Sequence, residues 1–82
     1  MKDADIRAVA LATLRSIAPE VEAEKLRPDR PLRKQVDLDS MDWLNFLIDL
    51  HEKLGVEIPE SDYARLVTLD DVVAYIANAT GN

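Results

Sequence analysis

The sequence predicts an all-α fold of four helical segments, the third short and the first two joined by a long connection. Three observations carry this. Apolar residues recur at three- and four-residue steps in separate stretches, which is the spacing of one helix face. Only two of the 82 residues are glycine, while Ala, Leu, Ile and Val are abundant, a composition that leans helical. No run alternates apolar and polar residues over the length of a strand; Val56-Glu57-Ile58 alternates but is too short. A chain of this size makes one domain, residues 1–82, with a thin stability margin.

The first segment runs from about Asp3 to Ala18. Ile6, Val9, Ala10, Leu14 and Ile17 share a face, Asp3 or Asp5 is placed to cap the start, and Pro19 stops it. Glu20 to Leu38 follows as a long connection. It holds Pro28 and Pro31, with Val21, Leu26 and Leu32 as apolar pins and a short helical turn allowed around Glu22 to Leu26. Loops of this length in compact domains are uncommon and often functional. The second helix is expected over Ser40 to Leu54, ended by Gly55. A third short one is expected over about Glu60 to Leu66 after Pro59. The fourth spans about Leu69 to Ala79, with Thr68 and Asp71 approximating a capping box and Leu69, Val72, Val73 and Ile76 as the buried stripe.

The second helix is the most informative. On a wheel of 3.6 residues per turn, Trp43, Phe46, Leu47, Leu50 and Leu54 fill one sector, a sufficient core face. Met41, Leu44 and Ile48 form a second apolar flank on the other side of Ser40, and Asp42, Asn45, Asp49, Glu52 and Lys53 fill the polar sector. The combined apolar arc, roughly 220°, is far wider than the stripe of about 100° that a surface helix needs. Met41, Leu44 and Ile48 are therefore expected to be partly exposed, beside Ser40, for a partner or cargo. Asp39-Ser40 itself reads first as a helix N-cap. A serine at that position also suits a phosphate, because free backbone N–H groups and the helix dipole both favour an anion.

Charge and composition narrow the function. Sixteen acidic against ten basic side chains give a net charge of −6. Such a surface argues against nucleic acid and anionic lipid and favours proteins with basic patches. No apolar run reaches spanning length and Met1 to Asp5 is no signal peptide, so no membrane insertion and a cytoplasmic setting are expected, with a monomer as the default. With no cysteine and one histidine, neither a disulfide nor a zinc cluster is available. Asp37, Asp39 and Asp42 faintly resemble a calcium loop, but Met41, Asp42 and Ile48 break the pattern, so no metal is expected. His51 lacks a serine or cysteine one turn away and reads as a boundary residue, and no catalytic set can be assembled. Arg27, Arg30, Arg33 and Lys34 cluster in the connection. Solvated loop charge is the plain reading, and attraction of an acidic partner or a phosphate is the other.

Val36-Asp37-Leu38-Asp39-Ser40-Met41-Asp42 resembles the attachment motif of acyl carrier proteins, usually Leu-Gly-x-Asp-Ser-Leu. Gly55-Val56-Glu57-Ile58-Pro59 and Thr68 to Ile76 resemble later segments of that family, so the likeness covers nearly the whole chain. The resemblance implies a four-helix bundle with a short third helix. It implies that Ser40 carries 4'-phosphopantetheine, donated by coenzyme A through a phosphopantetheinyl transferase, and that Asp39 assists the attachment. It implies a non-catalytic carrier that presents acyl thioesters to loading and processing enzymes of fatty-acid, polyketide or related biosynthesis. Met41, Asp42, Leu44 and Ile48 are the positions implied to touch those partners. Asp37 stands where the family usually has glycine, and Lys34 and Gln35 replace acidic residues usual before it. Met41 resembles the D-alanyl carriers. A D-alanyl, aminoacyl or peptidyl carrier, or an unmodified helical interaction module, is the alternative expectation.

Overall fold

A computed structural model of the chain describes residues 1–81. Its helices are α1 (Asp3–Ile17), α2 (Leu32–Gln35), α3 (Ser40–Leu54) and α4 (Leu69–Ala79), with 3₁₀ turns at Ala23–Lys25 and Glu60–Arg65. The three long helices fall where their periodicity places them. The third expected segment forms, but as a 3₁₀ helix; none of its six residues is buried, so no apolar face draws it into an α-helix. In the connection the 3₁₀ turn at Ala23–Lys25 falls where a helical turn is expected, around Glu22 to Leu26, and α2 is the element the sequence reading does not expect.

Helix ends follow local chemistry. Neither Asp3 nor Asp5 is the N-cap of α1. Lys2 holds that position with no side-chain bond, and the two acids sit in the first turn, where the helix dipole favours them. At α4 the capping box is complete. Asp71 N–H donates to Thr68 Oγ1 at 2.9 Å, and Thr68 N–H donates to Asp71 Oδ2 at 3.0 Å. The shorter aspartate reaches as far as the usual glutamate would. Gly55 closes α3 at φ +64°, a left-handed geometry that favours glycine, and its N–H donates to the His51 carbonyl at 2.9 Å.

α1 packs on both α3 and α4. Ile6, Ala10 and Leu14 meet Phe46, Leu47 and Leu50 of α3 and Val72 and Ile76 of α4 in one core, each no more than 1% exposed. Burying each large member contributes roughly 1.5–3 kcal/mol. Val9, Ile17 and Leu54 lie at its margin, half-buried. Thr13 is the one buried polar residue among those described. Its hydroxyl donates to the Val9 carbonyl at 2.8 Å and accepts from Lys53 Nζ at 3.1 Å, joining α1 to α3.

The connection is folded rather than slack. Val21, Leu32, Val36 and Leu38 are buried and Leu26 is half-buried. Leu32 N–H donates to the Val67 carbonyl at 2.9 Å, and Asp70 N–H donates to the Pro28 carbonyl at 3.0 Å. Gln35 closes the segment on itself. Its Oε1 accepts from Arg27 N–H at 2.7 Å, and its Nε2 donates to the carbonyls of Arg27 at 2.9 Å and Arg30 at 3.1 Å. These bonds lead the chain to the start of α3 in a fixed direction.

Candidate functional site

The candidate site is the N-terminus of α3. Asp39 is the N-cap, extended at φ −80°, and its Oδ1 accepts from Asp42 N–H at 2.8 Å. Buried Leu38 anchors the residue before the cap, and Trp43 anchors the first turn after it, 8% exposed and stacked on Phe46 at 5.2 Å. Between these anchors Ser40 is exposed, and its hydroxyl has no hydrogen bond among the described residues. The backbone N–H groups of Ser40 and Met41 lie in the first turn, where no intrahelical acceptor exists. An exposed hydroxyl beside free amides suits a phosphodiester. The Asp39 carboxylate opposes that in part, with one oxygen engaged in the cap and the other without a partner.

The second apolar flank divides by depth. Met41 is 64% exposed and Ile48 39%, whereas Leu44 is half-buried. Asp42 and Asp49 are half-buried beyond them, and Asn45 and Glu52 are exposed. Ser40, Met41, Leu44 and Ile48 thus form one continuous surface, as the wheel predicts.

Two clefts lie between α3 and the 3₁₀ segment. One, of about 200 Å³, is lined by Pro31, Arg33, Trp43, Leu66 and Val67. The other, of about 140 Å³, is lined by Leu47, Ile48, His51 and Ile58. Tyr63 borders both and divides them. A larger cleft, about 520 Å³, sits between the 3₁₀ segment and α4, and no α3 residue lines it.

Several residues have roles that periodicity does not reveal. His51 is exposed, and its Nδ1 donates to the Val56 carbonyl at 2.7 Å, bracing the turn after α3. Tyr75 donates to Asp62 Oδ2 at 2.6 Å, tying the 3₁₀ segment to α4. That carboxylate, assisted by desolvation, pushes the phenol above its usual pKa of 10.0. Gln35 stands out only in that it interrupts the charged run before the motif. Among the described residues, no three His, Cys, Asp or Glu side chains are grouped to hold a metal ion, and no helix is long and apolar enough to cross a membrane.

Residues 7–76 match the family described as phosphopantetheine attachment site. An acyl carrier protein of Campylobacter hominis is 33% identical over 78 residues, which span 95% of this chain and 92% of the relative. The meromycolate extension acyl carrier protein of Mycobacterium tuberculosis is 36% identical over 56 residues, 68% of this chain and 49% of that one. Among solved structures, a protein of Anaplasma phagocytophilum provisionally assigned as an acyl carrier protein superposes with a TM-score of 0.82 at 28% identity. That likeness covers 95% of this chain and 91% of the other.

Proposed function

The chain belongs to the phosphopantetheine-attachment family of acyl carrier proteins, a family of non-catalytic carriers, and on that premise we propose that Ser40 is its attachment residue. The observation that carries this is the exposed, unbonded hydroxyl at the first position of α3, bordered by the exposed side chains of Met41 and Ile48.

In the proposed reaction the Ser40 hydroxyl attacks the pantetheine-bearing phosphorus of coenzyme A. A P–O bond forms to Oγ, the P–O bond to the adenosine bisphosphate breaks, and the hydroxyl proton passes to a base on a separate transferase. Asp39 keeps Ser40 at the helix start and offers its free oxygen to that enzyme. When bound, the arm supplies a terminal thiol that holds the acyl group as a thioester, a role no side chain here can fill because the sequence has no cysteine. The helix N-terminus stabilises the phosphodiester, an effect of about 0.3–1 kcal/mol at an exposed site.

Met41, Leu44 and Ile48 seat in an apolar groove of each partner, and Asp42 meets a basic residue beside it. A tethered cargo reaches successive partners at high effective concentration, so weak docking suffices. The clefts on either side of Tyr63, both lined in part by α3, offer shelter for an acyl chain. We read the pathway as fatty-acid, polyketide or related biosynthesis, with the protein acting as a monomer; the lack of cysteine suits a reducing cytoplasm.

Incubation of the unmodified protein with coenzyme A and a broad-specificity phosphopantetheinyl transferase tests this. Intact mass should rise by one arm in the wild type and not in Ser40→Ala. No gain, or an equal gain in the variant, removes Ser40 from the role. Partner binding that survives Ser40→Ala but fails in Leu44→Asp would instead favour an unmodified interaction module.

A further inference from the structure

Arg27, Arg30, Arg33 and Lys34 place four of the ten basic side chains within eight consecutive positions of a chain whose net charge is −6. All four are exposed. The ion pairs among the described residues are Arg7–Asp70, Lys25–Glu22 and Arg65–Asp62, so none of the four is neutralised by one. The backbone beneath them is held still. Gln35 bonds both the N–H and the carbonyl of Arg27 and the carbonyl of Arg30, while the fully buried Leu32 sits between Arg30 and Arg33. Charges on a fixed backbone lose less conformational freedom on binding than charges on a mobile loop.

Position gives the platform a consequence. Arg33 lines the same cleft as Trp43, which lies one turn after Ser40. Arg33 therefore stands across a cleft from the first turn of α3, the turn that Ser40 opens, and the other three cations lie in the same short segment, while Met41 and Ile48 lie on α3 itself. A protein that reaches Ser40 meets both.

We propose, resting on the carrier reading, that this platform selects among partner proteins. It accepts a docking face that is acidic where it meets the connection and apolar where it meets Met41 and Ile48. It repels a docking face that is basic throughout. Complementary charge fixes orientation and speeds encounter, and like charges placed together exclude the wrong partner. A protein is the occupant because a local acidic patch meets the four cations within a Debye length, about 10 Å at 0.1 M salt. An extended polyanion, a bilayer or a nucleic acid, meets the whole molecule and its negative charge.

The test uses arm transfer by a phosphopantetheinyl transferase with a basic carrier-docking face. The substrate is the unmodified protein, wild type against R27Q/R30Q/R33Q/K34Q, with circular dichroism confirming that each is folded. At an ionic strength of about 0.02 M the variant should show a KM about three- to tenfold lower with kcat unchanged, and the difference should vanish near about 0.5 M. A variant of equal net charge, K2Q/R7Q/R15Q/R65Q, should show less than half the effect. An oligo-aspartate peptide should shift the backbone amides of residues 27–35 in the wild type and not in the platform variant. An unchanged or higher KM, or an equal effect in the charge-matched control, overturns the proposal. So does retention of the wild type, but not the variant, on anionic phospholipid vesicles. Failure of the carrier reading looks different, because then no protein gains an arm at any ionic strength and both readings fall.

Discussion

On the proposed reading Asp39 carries two duties, a cap and an aid to attachment, and they rest on different features of its carboxylate. Its Oδ1 holds the Asp42 amide, while its charge is the part available to the attachment reaction. Asparagine keeps an acceptor at the cap and removes the charge, since the two residues cap about equally well. Asp39→Asn should therefore unfold within about 0.5 kcal/mol of the wild type, yet accept the arm at least about tenfold more slowly if the charge contributes a charge-assisted contact. Asp39→Ala should lose about 1 kcal/mol in urea unfolding as well. Equal loading by wild type and Asp39→Asn would reduce Asp39 to a cap. Tyr75 gives a second residue-scale test. Its folded pKa is raised by the Asp62 hydrogen bond, so the native state holds the phenolic proton more tightly than the unfolded state. The stability from this bond is fully present below pH 10 and is lost as pH rises through the folded pKa above it. Tyr75→Phe should cost about 1 kcal/mol near neutrality, as expected of a half-exposed hydrogen bond. It should also flatten the alkaline fall in stability attributable to this group, read by unfolding midpoints across pH 7 to about 11. The exposed serine and its apolar flank were legible from a helical wheel. The Tyr75–Asp62 bond was not, because it joins residues on two elements whose facing no periodicity reports.

At the scale of elements, α3 answers most to sequence reading and the connection least. The helix is long enough for its buried residues, Trp43, Phe46, Leu47 and Leu50, to repeat at regular steps, and Asp39 and Gly55 mark both ends. The connection's apolar pins Val21 and Leu32 are buried as the sequence reading expects, but the rest of it is ordered by single contacts that have no period: the Pro28 and Val67 carbonyls accepting from distant amides, and one glutamine side chain bonding two turns of backbone. Composition signalled a loop because prolines and charges dominate there, and the hydrogen bonds of Gln35 have no compositional mark. Gln35→Ala should cost about 1–2 kcal/mol, since it leaves the Arg27 amide and two carbonyls to find water. The readout that separates this from general destabilisation is native-state hydrogen exchange. Protection should fall at Arg27 and Arg30 and hold at Phe46 and Leu50. Uniform loss across all four would mean that the connection is no separate unit. The 3₁₀ segment is a softer element for a related reason. With no fully buried residue of its own, it depends on half-buried Tyr63 and on the Tyr75 bond.

At the scale of the molecule, the arrangement divides labour between a closed interior and a patterned surface. α1 contributes Ile6, Ala10 and Leu14 to the core, while α3 contributes both to the core and to the candidate site. Its inner face holds the bundle, and its other apolar flank remains outside because the neighbours of a four-helix chain cannot cover it. The account depends on that remainder: a reachable hydroxyl at the start of α3, with an apolar strip beside it. The most direct measurement is fragment-resolved mass spectrometry of the protein isolated from its native cell. The account predicts that the peptide containing Ser40 carries a phosphopantetheine whose thiol bears an acyl group, released by mild hydroxylamine. A native protein with an unmodified Ser40 peptide, or with the arm on another residue, would contradict it.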